Sequence, residues 1–505
     1  MRYQHPNHNQ HLGAFVTQAK HLSDLGLTAR GGDNPVITGL CVDSRAVQKG
    51  ALFAALPGSV IHGAEYIRAA VARGAAAILT DAEGAAIAQA DIAPAALIVT
   101  QDPRQALAYA AALWFGTQPE TMVAVTGTNG KTSVATFTRQ IWMALDHAAI
   151  NIGTTGVEGA WHTPSPHTTP EPITLHGMLA DAARAGITHA AMEASSHGLD
   201  QRRLDGVRLV AAGFTNFTQD HLDYHHTFEA YFDAKAGLFT RILPEDGVAV
   251  INIDDSRGMD MANLAEDRGQ DVLRVGRDPT ADLRILGQRF DATGQDLRLE
   301  WLGEAHQVRL ALIGGFQAEN VVLAAGLCIG AGDDPAQIFN TLPQLVGVRG
   351  RMQLAATRQN GAAVYVDYAH TPDALETALK ALRPHVMGRI VVVFGAGGDR
   401  DTTKRPLMGA AAAAHADILF VTDDNPRSED PSLIRAAILA ACPEATEIGD
   451  RAEAILRGVD ALGPGDVLLI AGKGHESGQT IKGQTYPFDD AEQASIAVAA
   501  LDGLI

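Results

Sequence analysis

The glycine-rich segment Gly127–Ser133 is the strongest local signal for chemistry in the chain. It follows the apolar run Val123–Val125, and a helix-forming stretch comes after it. Its two glycines let backbone N–H groups approach phosphate oxygens, and a helix N-terminus adds partial positive charge. Lys131 can reach the β- and γ-phosphates of a nucleotide, and the Thr132 hydroxyl can ligate Mg²⁺. The spacing departs from G-x-x-x-x-G-K-[ST], but the strand–loop–helix context favours nucleotide binding over an ordinary glycine turn.

Three further positions could supply metal ligands or bases. Glu193 ends the apolar run Ile187–Met192, where an acid can hold a nucleotide's Mg²⁺, although an N-cap or a solvated carboxylate reads equally well. The segment Asp220–His226 is dense in possible ligands, but histidines also cluster by chance in a chain with 19 of them. Lys235 lies in a helical pattern, where a lysine is usually solvated. From the residues alone these alternatives stay open.

A second glycine-rich stretch, Phe394–Arg400, follows the β-branched run Ile390–Phe394. The arginine at position 400 breaks the G-x-G-x-x-G pattern, so no dinucleotide site is indicated. The loop still lies at the carboxyl end of a predicted strand, where open α/β sheets bind their ligands.

Short β-branched runs that alternate with alanine-rich helical stretches must position these loops, and this alternation predicts an α/β fold with parallel sheets. The predicted strands include Val123–Val125, Gly247–Ile253, Val364–Val366, Ile390–Phe394, Ile418–Val421 and Val467–Ile470. The predicted helices include Arg104–Trp114, Thr132–Ala144, Pro372–Leu382 and Leu433–Ala441.

The chain has 505 residues, too many for one hydrophobic core, since single cores stop growing beyond about 250–300 residues. Two joints lie just before predicted strands, at Phe115–Glu120 and at Leu342–Arg351. We therefore predict three domains, at residues 1–118, 119–347 and 348–505.

Composition narrows the class of protein. The chain is 46% hydrophobic and 19% charged, with a formal net charge of −19. This balance argues against a nucleic-acid or membrane-surface binder, which would need a basic face. Three widely spaced cysteines exclude a CxxC zinc pattern and a disulfide framework. Met1–His11 lacks the pattern of a secretion signal, and no apolar run predicts membrane insertion, so we expect a cytoplasmic protein.

Taken together, the motifs resemble those of the Mur ligases, the ATP-dependent amide-forming enzymes of peptidoglycan precursor synthesis. The resemblance spans nearly the whole chain and follows the family's order. Its segments are Val42–Arg45, Gly50–Phe53, Gly127–Ser133, Thr168–Pro170, Glu193–Leu199, Phe214–Asn216, Asp220–His225, Ala234–Lys235, Gly350–Met352, Val366–Pro372, Gly397–Asp401, Lys404–Pro406, Asp424–Arg427 and Gly472–Glu476.

The resemblance implies a uridine-nucleotide-binding α/β domain, a central P-loop ATPase-like parallel sheet and a C-terminal Rossmann-like domain that binds an amino acid. Within the family, Asp424–Arg427 resembles the version that takes meso-2,6-diaminopimelate. The implied reaction adds this amino acid to UDP-N-acetylmuramoyl-L-alanyl-D-glutamate through an acyl phosphate, with ATP and Mg²⁺. The implied protein is a monomer that acts on small molecules and binds no nucleic acid.

The resemblance also implies a role for each matching residue. The residues implied for catalysis are Lys131, Glu193, His221 and Lys235, of which Lys235 would carry a CO₂-derived carbamate. The residues implied to hold Mg²⁺ are Thr132, Glu193, His221 and the modified Lys235. The residues implied for ATP are Gly127, Thr128, Asn129, Gly130, Lys131, Thr132, Ser133, Asn320, Arg351 and Asp367. The residues implied for the uridine-nucleotide sugar peptide are Val42, Ser44, Thr168, Thr169, Ser195, Gln201 and Arg203.

The residues implied for diaminopimelate are Arg400, Asp424, Asn425, Pro426, Arg427, Gly472 and Glu476. Diaminopimelate is lysine with a second amino-acid head at its far end, and a planar guanidinium such as that of Arg427 can grip the distal carboxylate bidentately. Three other readings remain open, namely a lysine-adding sister ligase, a folylpolyglutamate synthetase-like ligase and an inactive ATP-binding regulator.

Overall fold

The computed structural model describes residues 19–58, 60–88, 91–165, 167–218 and 222–504. His221 and the segment Met1–His11 lie outside these ranges, so the predictions made for them stay predictions. Within the described part of the chain, no helix is both long and apolar enough to cross a membrane. Strands and helices alternate along the chain, which confirms the predicted α/β class.

The first domain is built on a small parallel sheet. Its strands are β1 (Lys20–His21), β2 (Val36–Ile37), β3 (Gly39–Cys41), β4 (Ala51–Ala54), β5 (Ala77–Thr80) and β6 (Ala96–Val99). Its α-helices are α1 (Ile67–Ala72), α2 (Ala82–Ile87) and α3 (Pro103–Phe115), and short 3₁₀ helices lie at Leu22–Leu25, Ser44–Ala46 and Gly63–Tyr66. The parallel strands follow the order β3-β4-β5-β6, and β1 pairs with β2.

The second domain contains a ten-stranded sheet. Its strands are β7 (Thr121–Thr126), β8 (Ala149–Gly153), β9 (Gly156–Gly159), β10 (His189–Glu193), β11 (Ala211–Phe214), β12 (Val248–Asn252), β13 (Asp271–Gly276), β14 (Leu283–Asp291), β15 (Gly294–Trp301) and β16 (Glu304–Leu310). Its α-helices are α4 (Lys131–Ala144), α5 (Pro172–Arg184), α6 (Ser196–Asp200), α7 (Leu222–His225), α8 (Phe228–Gly237), α9 (Gly258–Asp267), α10 (Phe316–Gly330) and α11 (Pro335–Thr341), with a π-helical turn at Leu238–Ile242 and a 3₁₀ turn at Leu342–Gln344.

The strand order of this sheet is β16-β15-β14-β13-β12-β11-β7-β10-β8-β9. Seven neighbouring strands, from β8 to β14, run parallel as predicted. The pairs β14–β15, β15–β16 and β8–β9 are antiparallel, an extension that the sequence analysis did not predict.

The central strand β7 is buried on both faces, which fixes the loop that follows it. Val123 and Val125 belong to the apolar core beneath α4 and α10, whereas Met122 and Ala124 belong to the core beneath α5, α8 and α9. Successive side chains of a strand point to opposite faces, so an all-apolar run suits a sheet covered by helices on both sides. Packing of α4 on this sheet places its N-terminus directly after the glycine-rich loop.

The third domain carries a six-stranded sheet and a small hairpin. Its strands are β17 (Gln353–Thr357), β18 (Ala363–Asp367), β19 (Ile390–Phe394), β20 (Ile418–Val421), β21 (Thr446–Glu447), β22 (Val467–Ala471), β23 (Gly478–Ile481) and β24 (Gln484–Pro487). Its α-helices are α12 (Pro372–Leu382), α13 (Lys404–His415), α14 (Pro431–Leu439), α15 (Arg451–Asp460) and α16 (Asp490–Leu501), and Arg383–His385 forms a 3₁₀ turn.

The sheet order is β17-β18-β22-β19-β20-β21, parallel except for β17. Because β22, β19 and β20 are neighbours, the loops that follow them meet at the carboxyl edge of the sheet. The predicted boundaries after residues 118 and 347 both fall between regular elements, and their positions stay predictions.

Side chains connect the three domains. Arg202 Nε donates to Asp102 Oδ2 at 2.7 Å, which joins the second domain to the first. His385 of the third domain accepts from the Gly314 N–H at Nε2 (3.0 Å), so its Nδ1 carries the proton and donates to the Asp291 carbonyl at 2.7 Å. Both ring nitrogens are therefore used in holding the third domain against the second.

A histidine stack at the amino end of the central sheet makes stability depend on pH. The rings of His147 and His189 lie 4.1 Å apart, and His147 Nε2 lies 3.0 Å from Asp333 Oδ1. Burial, with a smaller effect of His147, lowers the pKa of His189 from 6.5 to about 4. The unfolded chain therefore binds more protons between these pH values, so the free energy of unfolding falls as the pH falls from 6.5 to about 4.

Between pH 6.5 and about 4, we expect the free energy of unfolding to fall by on the order of 1 kcal/mol less in His189→Gln than in the unmodified protein. Urea unfolding at a series of pH values measures it, with the exposed His162→Gln as control. An unchanged pH slope in the His189 variant would contradict the assignment.

Candidate active site

The glycine-rich loop joins β7 to α4 and lies against two neighbouring segments. Gly127 has φ 144° and Gly130 has φ 87°, both in the region that disfavours side chains. A Cβ on Gly127 would lie 1.8 Å from Thr215 Oγ1, and a Cβ on Gly130 would lie 2.5 Å from Asn320 Oδ1. Only glycine fits at these two positions. The contact also places Asn320 of α10 at the loop, and its role in ATP binding stays a prediction.

The segment after β11 holds the loop in place. Asn216 accepts from the Thr128 N–H through its carbonyl and from the Asn129 N–H through Oδ1, both at 2.9 Å. Thr215 Oγ1 donates to the Asn129 carbonyl at 2.6 Å. Lys131 Nζ donates to two loop carbonyls, at 2.8 and 2.9 Å, so its ammonium lies within the loop rather than in solvent.

Lys235 lies against the same loop, and the expectation of a solvated lysine was wrong. Its side chain is 1% exposed. Its Nζ donates to the Gly127 carbonyl at 2.7 Å and lies 4.4 Å from the centre of the Tyr231 ring. Burial of an ammonium is costly unless it is paired or hydrogen-bonded. A carbonyl and an aromatic face supply such partners here, and they bring Lys235 next to the phosphate-loop candidate.

Glu193 is buried at the carboxyl end of β10, the strand next to β7. Glu193 is 2% exposed, and in the parallel pairing of β10 with β7 it lies opposite Val125. Its carboxylate accepts from the Thr154 N–H at 2.8 Å and from the Thr154 hydroxyl at 3.2 Å. A carboxylate oxygen has two lone pairs, so both oxygens keep capacity for a cation. The reading of Glu193 as an N-cap or a solvated carboxylate is thus wrong.

The described residues by themselves do not form a metal cage. Among them, no three His, Cys, Asp or Glu side chains come together as a metal-binding group. Thr132 Oγ1, in the first turn of α4, lies 3.4 Å from Arg351 Nη2 of the third domain. Of the residues predicted to hold Mg²⁺, the Thr132 hydroxyl and the Glu193 carboxylate are the described oxygen donors.

A second cluster lies beside Glu193. Thr169 Oγ1 donates to the Glu193 carbonyl at 2.9 Å and accepts from the Ser195 N–H at 3.1 Å, while the Thr168 hydroxyl lies 3.0 Å from that of Thr154. Arg203 donates to the Thr169 carbonyl at 2.7 Å. The structure thus brings these predicted residues together.

Gln201 completes this cluster, whereas two predicted residues belong to the first domain. Arg203 Nη2 donates to Gln201 Oε1 at 2.8 Å, and Gln201 Nε2 donates to the Tyr224 hydroxyl at 3.0 Å. Val42 follows β3 with 42% exposure, and Ser44 begins a 3₁₀ helix. Both residues therefore lie in the first domain, whereas the Thr169 cluster lies in the second.

Arg351 connects the loop to the third domain. Its guanidinium lies 4.5 Å from the centre of the Tyr368 ring, while its Nη2 approaches Thr132. Asp367 accepts from the Met352 N–H at 2.6 Å and from the Ala369 N–H at 2.8 Å. Burial raises the pKa of Asp367, and the nearby Arg351 charge opposes this rise.

The three loops at the carboxyl edge of the third sheet bring together most of the predicted amino-acid pocket. Asn425 Nδ2 donates to Glu476 Oε2 at 2.8 Å, and Arg427 Nη1 donates to the Gly398 carbonyl at 2.7 Å. A Cβ on Gly472 would lie 2.6 Å from Asp424 Oδ2, so a side chain there would enter the pocket.

Arg400 lies at the outer side of this pocket, and Pro426 lies within it. Arg400 is exposed and donates to the Asp399 carbonyl at 3.1 Å. A Cβ on Gly397 would lie 2.8 Å from Arg427 Nη1 and 3.8 Å from Arg400 Cγ, so both arginines flank this glycine. The Pro426 carbonyl packs closely against Gly398.

Sequence reasoning missed three side chains of this region. Thr154 orients the Glu193 carboxylate, Tyr368 supports Arg351, and Lys473 is a fully buried cation beside Glu476. Tyr368 and Lys473 stand inside segments that were singled out as motifs, which is a usable signal. Thr154 lies outside every such segment, and only the fold brings it to the site.

Models of known protein families match most of the chain. The Mur ligase family catalytic domain matches residues 36–114, the Mur ligase middle domain matches 125–328, and the Mur ligase glutamate ligase domain matches 350–474. The UDP-N-acetylmuramoyl-L-alanyl-D-glutamate–2,6-diaminopimelate ligase of Caulobacter vibrioides is 50% identical over 490 residues, which cover 96% of this chain and 99% of the relative. The chain belongs to the Mur ligase family. This Mur ligase is therefore an ATP-dependent ligase, as predicted.

Solved structures share the fold of this Mur ligase. A UDP-N-acetylmuramoyl-L-alanyl-D-glutamate–2,6-diaminopimelate ligase superposes with a TM-score of 0.71 at 34% identity, over 96% of this chain and 99% of that chain. The MurF ligase of Thermotoga maritima, solved in complex with ADP, superposes with a TM-score of 0.59 at 17% identity, over 86% and 94% of the two chains. The three-domain α/β prediction is confirmed.

Proposed function

We propose that this Mur ligase joins meso-2,6-diaminopimelate to the D-glutamate γ-carboxyl group of UDP-N-acetylmuramoyl-L-alanyl-D-glutamate and converts ATP to ADP and phosphate. The observation that carries the proposal is the 50% identity, over nearly the whole chain, with a ligase that bears these substrates in its name. The clustering of Asn425, Arg427 and Glu476 at one sheet edge supports the choice of amino acid.

Charge and shape in this pocket fit a distal amino-acid head. A guanidinium can bind a carboxylate through two parallel hydrogen bonds, which an ammonium cannot do. Arg427 is the candidate for the distal carboxylate, and Glu476 is the candidate for the distal ammonium. Asn425, Asp424, Pro426 and Gly472 shape the space between them, and Arg400 closes its outer side.

The phosphate-loop geometry supports the ATP site. Backbone N–H groups at a helix N-terminus suit phosphate oxygens, and α4 begins at Lys131, directly after the glycine-rich loop. We assign the triphosphate to Gly127–Ser133, whose Lys131 would move from its loop carbonyls to the phosphates. Asn320, Arg351 and Asp367 would contact the adenosine side.

The donor set near the loop fits Mg²⁺. This ion prefers hard oxygen ligands and commonly takes one or two carboxylates together with substrate phosphates and water. The Thr132 hydroxyl and the Glu193 carboxylate would hold it, and His221 is a further candidate. The ammonium of Lys235 has no lone pair and cannot ligate a cation, but its carbamate would offer two oxygens that share a negative charge. Bound Mg²⁺ would offset the repulsion between the substrate carboxylate and the triphosphate.

The reaction follows from these positions. The γ-carboxylate of the substrate attacks the γ-phosphorus of ATP, ADP leaves, and an acyl phosphate forms. The amine of diaminopimelate then attacks the acyl carbon, loses a proton, and phosphate leaves as the amide forms. Lys131 holds the transferring phosphoryl group, and Arg427 holds the tail of the amino acid so that its amine faces the acyl carbon. Positioning of this kind supplies a large share of the rate.

The uridine-nucleotide substrate would bridge the first two domains. Val42 and Ser44 would contact its nucleotide part, and Thr168, Thr169, Ser195, Gln201 and Arg203 would contact the sugar peptide. We further propose that the enzyme acts as a monomer in the cytoplasm, where its nucleotide substrates are found.

Phosphate release with ATP, Mg²⁺, UDP-N-acetylmuramoyl-L-alanyl-D-glutamate and meso-diaminopimelate tests the proposed function. We expect release only when all four are present, and we expect L-lysine to replace diaminopimelate poorly. Equal turnover of lysine would favour the lysine-adding sister ligase. Turnover of a folate substrate would favour a folylpolyglutamate synthetase, and an inactive mixture would favour a regulator.

Glu193 can be displaced without changing its charge. A Cβ on Gly153 would lie 2.0 Å from Glu193 Oε1, and this side chain has little room to move because it is buried. We expect Gly153→Ala to raise the Mg²⁺ concentration needed for half-maximal activity about tenfold. Gly287→Ala, where a Cβ would meet no atom within 4 Å, is the matched control. An unchanged Mg²⁺ requirement in Gly153→Ala would exclude Glu193 as a metal ligand.

A further inference from the structure

Lys473 is a buried cation that the proposed chemistry does not yet use. It follows β22, and its side chain has no exposed surface. Its Nζ donates to Glu476 Oε2 at 3.0 Å and to Asn425 Oδ1 at 3.3 Å. Removing an ammonium from water is costly in free energy, and only well-placed opposite charges and hydrogen-bond acceptors offset that cost. Both partners are residues assigned above to the amino-acid pocket.

Lys473 fixes which way the Asn425 amide faces. Asn425 Oδ1 receives the Lys473 ammonium and the Thr480 N–H, the latter at 2.8 Å. Both groups are donors only, so the oxygen of the amide must face them. The Nδ2 group then faces Glu476 and donates to Oε2 at 2.8 Å. The amide cannot turn over without placing two donors against each other.

Lys473 also sets the position and charge of Glu476. Both described bonds to its carboxylate fall on Oε2, and the side chain is 32% exposed. These bonds leave the other oxygen, Oε1, with the capacity to accept from a ligand. A neighbouring ammonium partly cancels the carboxylate's charge, and this effect is strong because Lys473 is shielded from water.

A buried ion pair lies beside the starts of both loops that carry Lys473 and Asn425. Arg451, which has no exposed surface, forms a buried ion pair with Asp490 at 2.7 Å. Its guanidinium also donates to the Ala471 carbonyl at 2.9 Å and to the Asp423 carbonyl at 3.4 Å. These carbonyls come directly before the two loops that carry Lys473 and Asn425. A change at Lys473 should therefore act locally on the pocket.

We propose that Lys473 is a positioning residue that sets the preference for a zwitterionic distal head over a bare cation, an inference that rests on the proposed function. The distal head of diaminopimelate carries a carboxylate and an ammonium, so its net charge is zero. The side chain of lysine ends in an ammonium alone. A Glu476 carboxylate that is already paired with Lys473 attracts such a cation weakly, whereas Arg427 still binds the distal carboxylate of diaminopimelate.

The test uses a competition between the two amino acids. The full-length enzyme is given ATP, Mg²⁺, the uridine-nucleotide substrate and a fixed mixture of diaminopimelate and L-lysine, and mass spectrometry measures the two products. Lys473→Met keeps the length of the side chain and removes its charge. We expect the ratio of diaminopimelate product to lysine product to fall about tenfold, with the KM for ATP unchanged. The exposed Lys380→Met in the same domain is the matched control.

A second variant separates charge from folding. Lys473→Met combined with Glu476→Gln removes both charges of the Lys473–Glu476 ion pair. We expect this double variant to have a raised KM for diaminopimelate but to discriminate against lysine again, more strongly than Lys473→Met. It also serves as the test if the single variant does not fold. A double variant that accepts lysine as readily as Lys473→Met would overturn the role given to charge.

The two proposals fail in different ways. If the unmodified enzyme does not use diaminopimelate, the proposed function is wrong. If it does use diaminopimelate and Lys473→Met leaves the product ratio unchanged, or alters the KM values for ATP and diaminopimelate equally, only the role of Lys473 is wrong.

Discussion

Lys235→Ala is expected to lower the rate of amide formation on the order of a thousandfold, because it removes a group that lies directly beside the phosphate loop. The Lys235 ammonium is 2.7 Å from the Gly127 carbonyl and is almost completely buried. A cation at this place would compete with Mg²⁺. If the ammonium loses a proton, the free amine can react with CO₂ to give a carbamate and a second proton, and the side chain would then be an anion with oxygen ligands suited to Mg²⁺. The same assay of phosphate release measures the loss.

Chemical rescue distinguishes the carbamate from the unmodified amine. If Lys235 acts as a carbamate, formate or acetate should partly restore the activity of Lys235→Ala, since a small carboxylate can occupy the space left by the side chain. If the ammonium itself is needed, methylamine should restore activity instead. Lys380→Ala, a surface change on α12, should behave like the unmodified enzyme. Full activity of the unrescued Lys235 variant would refute any role in the reaction.

The sequence predicts regular elements well where the hydrophobic pattern is local. The strands Ile390–Phe394 and Ile418–Val421 and the helix Pro372–Leu382 have the predicted bounds. The helix predicted at Leu433–Ala441 instead spans Pro431–Leu439, because Asp430 caps its N-terminus and Pro431 occupies the first turn. That shift reflects end effects, which hydrophobic periodicity alone does not capture.

What could not be predicted depends on contacts between distant segments. The antiparallel hairpin of β15 and β16 extends the parallel part of the sheet beyond β14, and nothing in the pattern of these two strands says which edge they join. The local pattern predicts a solvated Lys235, whereas in the fold the Gly127 carbonyl and the Tyr231 ring make its burial tolerable. Thr154 reaches Glu193 across 39 positions of the chain. Such pairings are properties of the fold rather than of local sequence.

The candidate functional residues also divide into those that a local pattern predicts and those that depend on contacts between distant segments. The strand–loop–helix arrangement at Gly127–Ser133 could be predicted from the residues alone, because its three parts are contiguous, and its phosphate-binding role stays a prediction. The roles of Glu193 and Lys235 came only with the resemblance, since each has an ordinary structural reading when taken alone. The structure then brings Lys235 to the phosphate loop and places Glu193 on the neighbouring strand, but it gives no information on His221, which lies outside the described residues.

Arg427→Ala is expected to raise the KM for diaminopimelate about a hundredfold while the KM for ATP changes little. The Arg427 guanidinium is held at the pocket because Nη1 donates to the Gly398 carbonyl at 2.7 Å and its backbone N–H donates to the Thr480 carbonyl at 3.0 Å. Removal of the guanidinium leaves the distal carboxylate of the amino acid without its bidentate partner. Steady-state kinetics with each substrate varied in turn measures the two constants.

Two further variants define what Arg427 contributes. Arg427→Lys keeps the charge but loses the planar pair of donors, so we expect a rise in the KM for diaminopimelate between those of the unmodified enzyme and Arg427→Ala. Arg400→Ala removes the exposed guanidinium on the other side of Gly397 and should have a smaller effect than Arg427→Ala. Because lysine lacks the distal carboxylate, its turnover should be nearly the same in Arg427→Ala as in the unmodified enzyme. Equal rises in the KM for ATP and for diaminopimelate would show that Arg427 supports the fold of the third domain rather than the choice of amino acid.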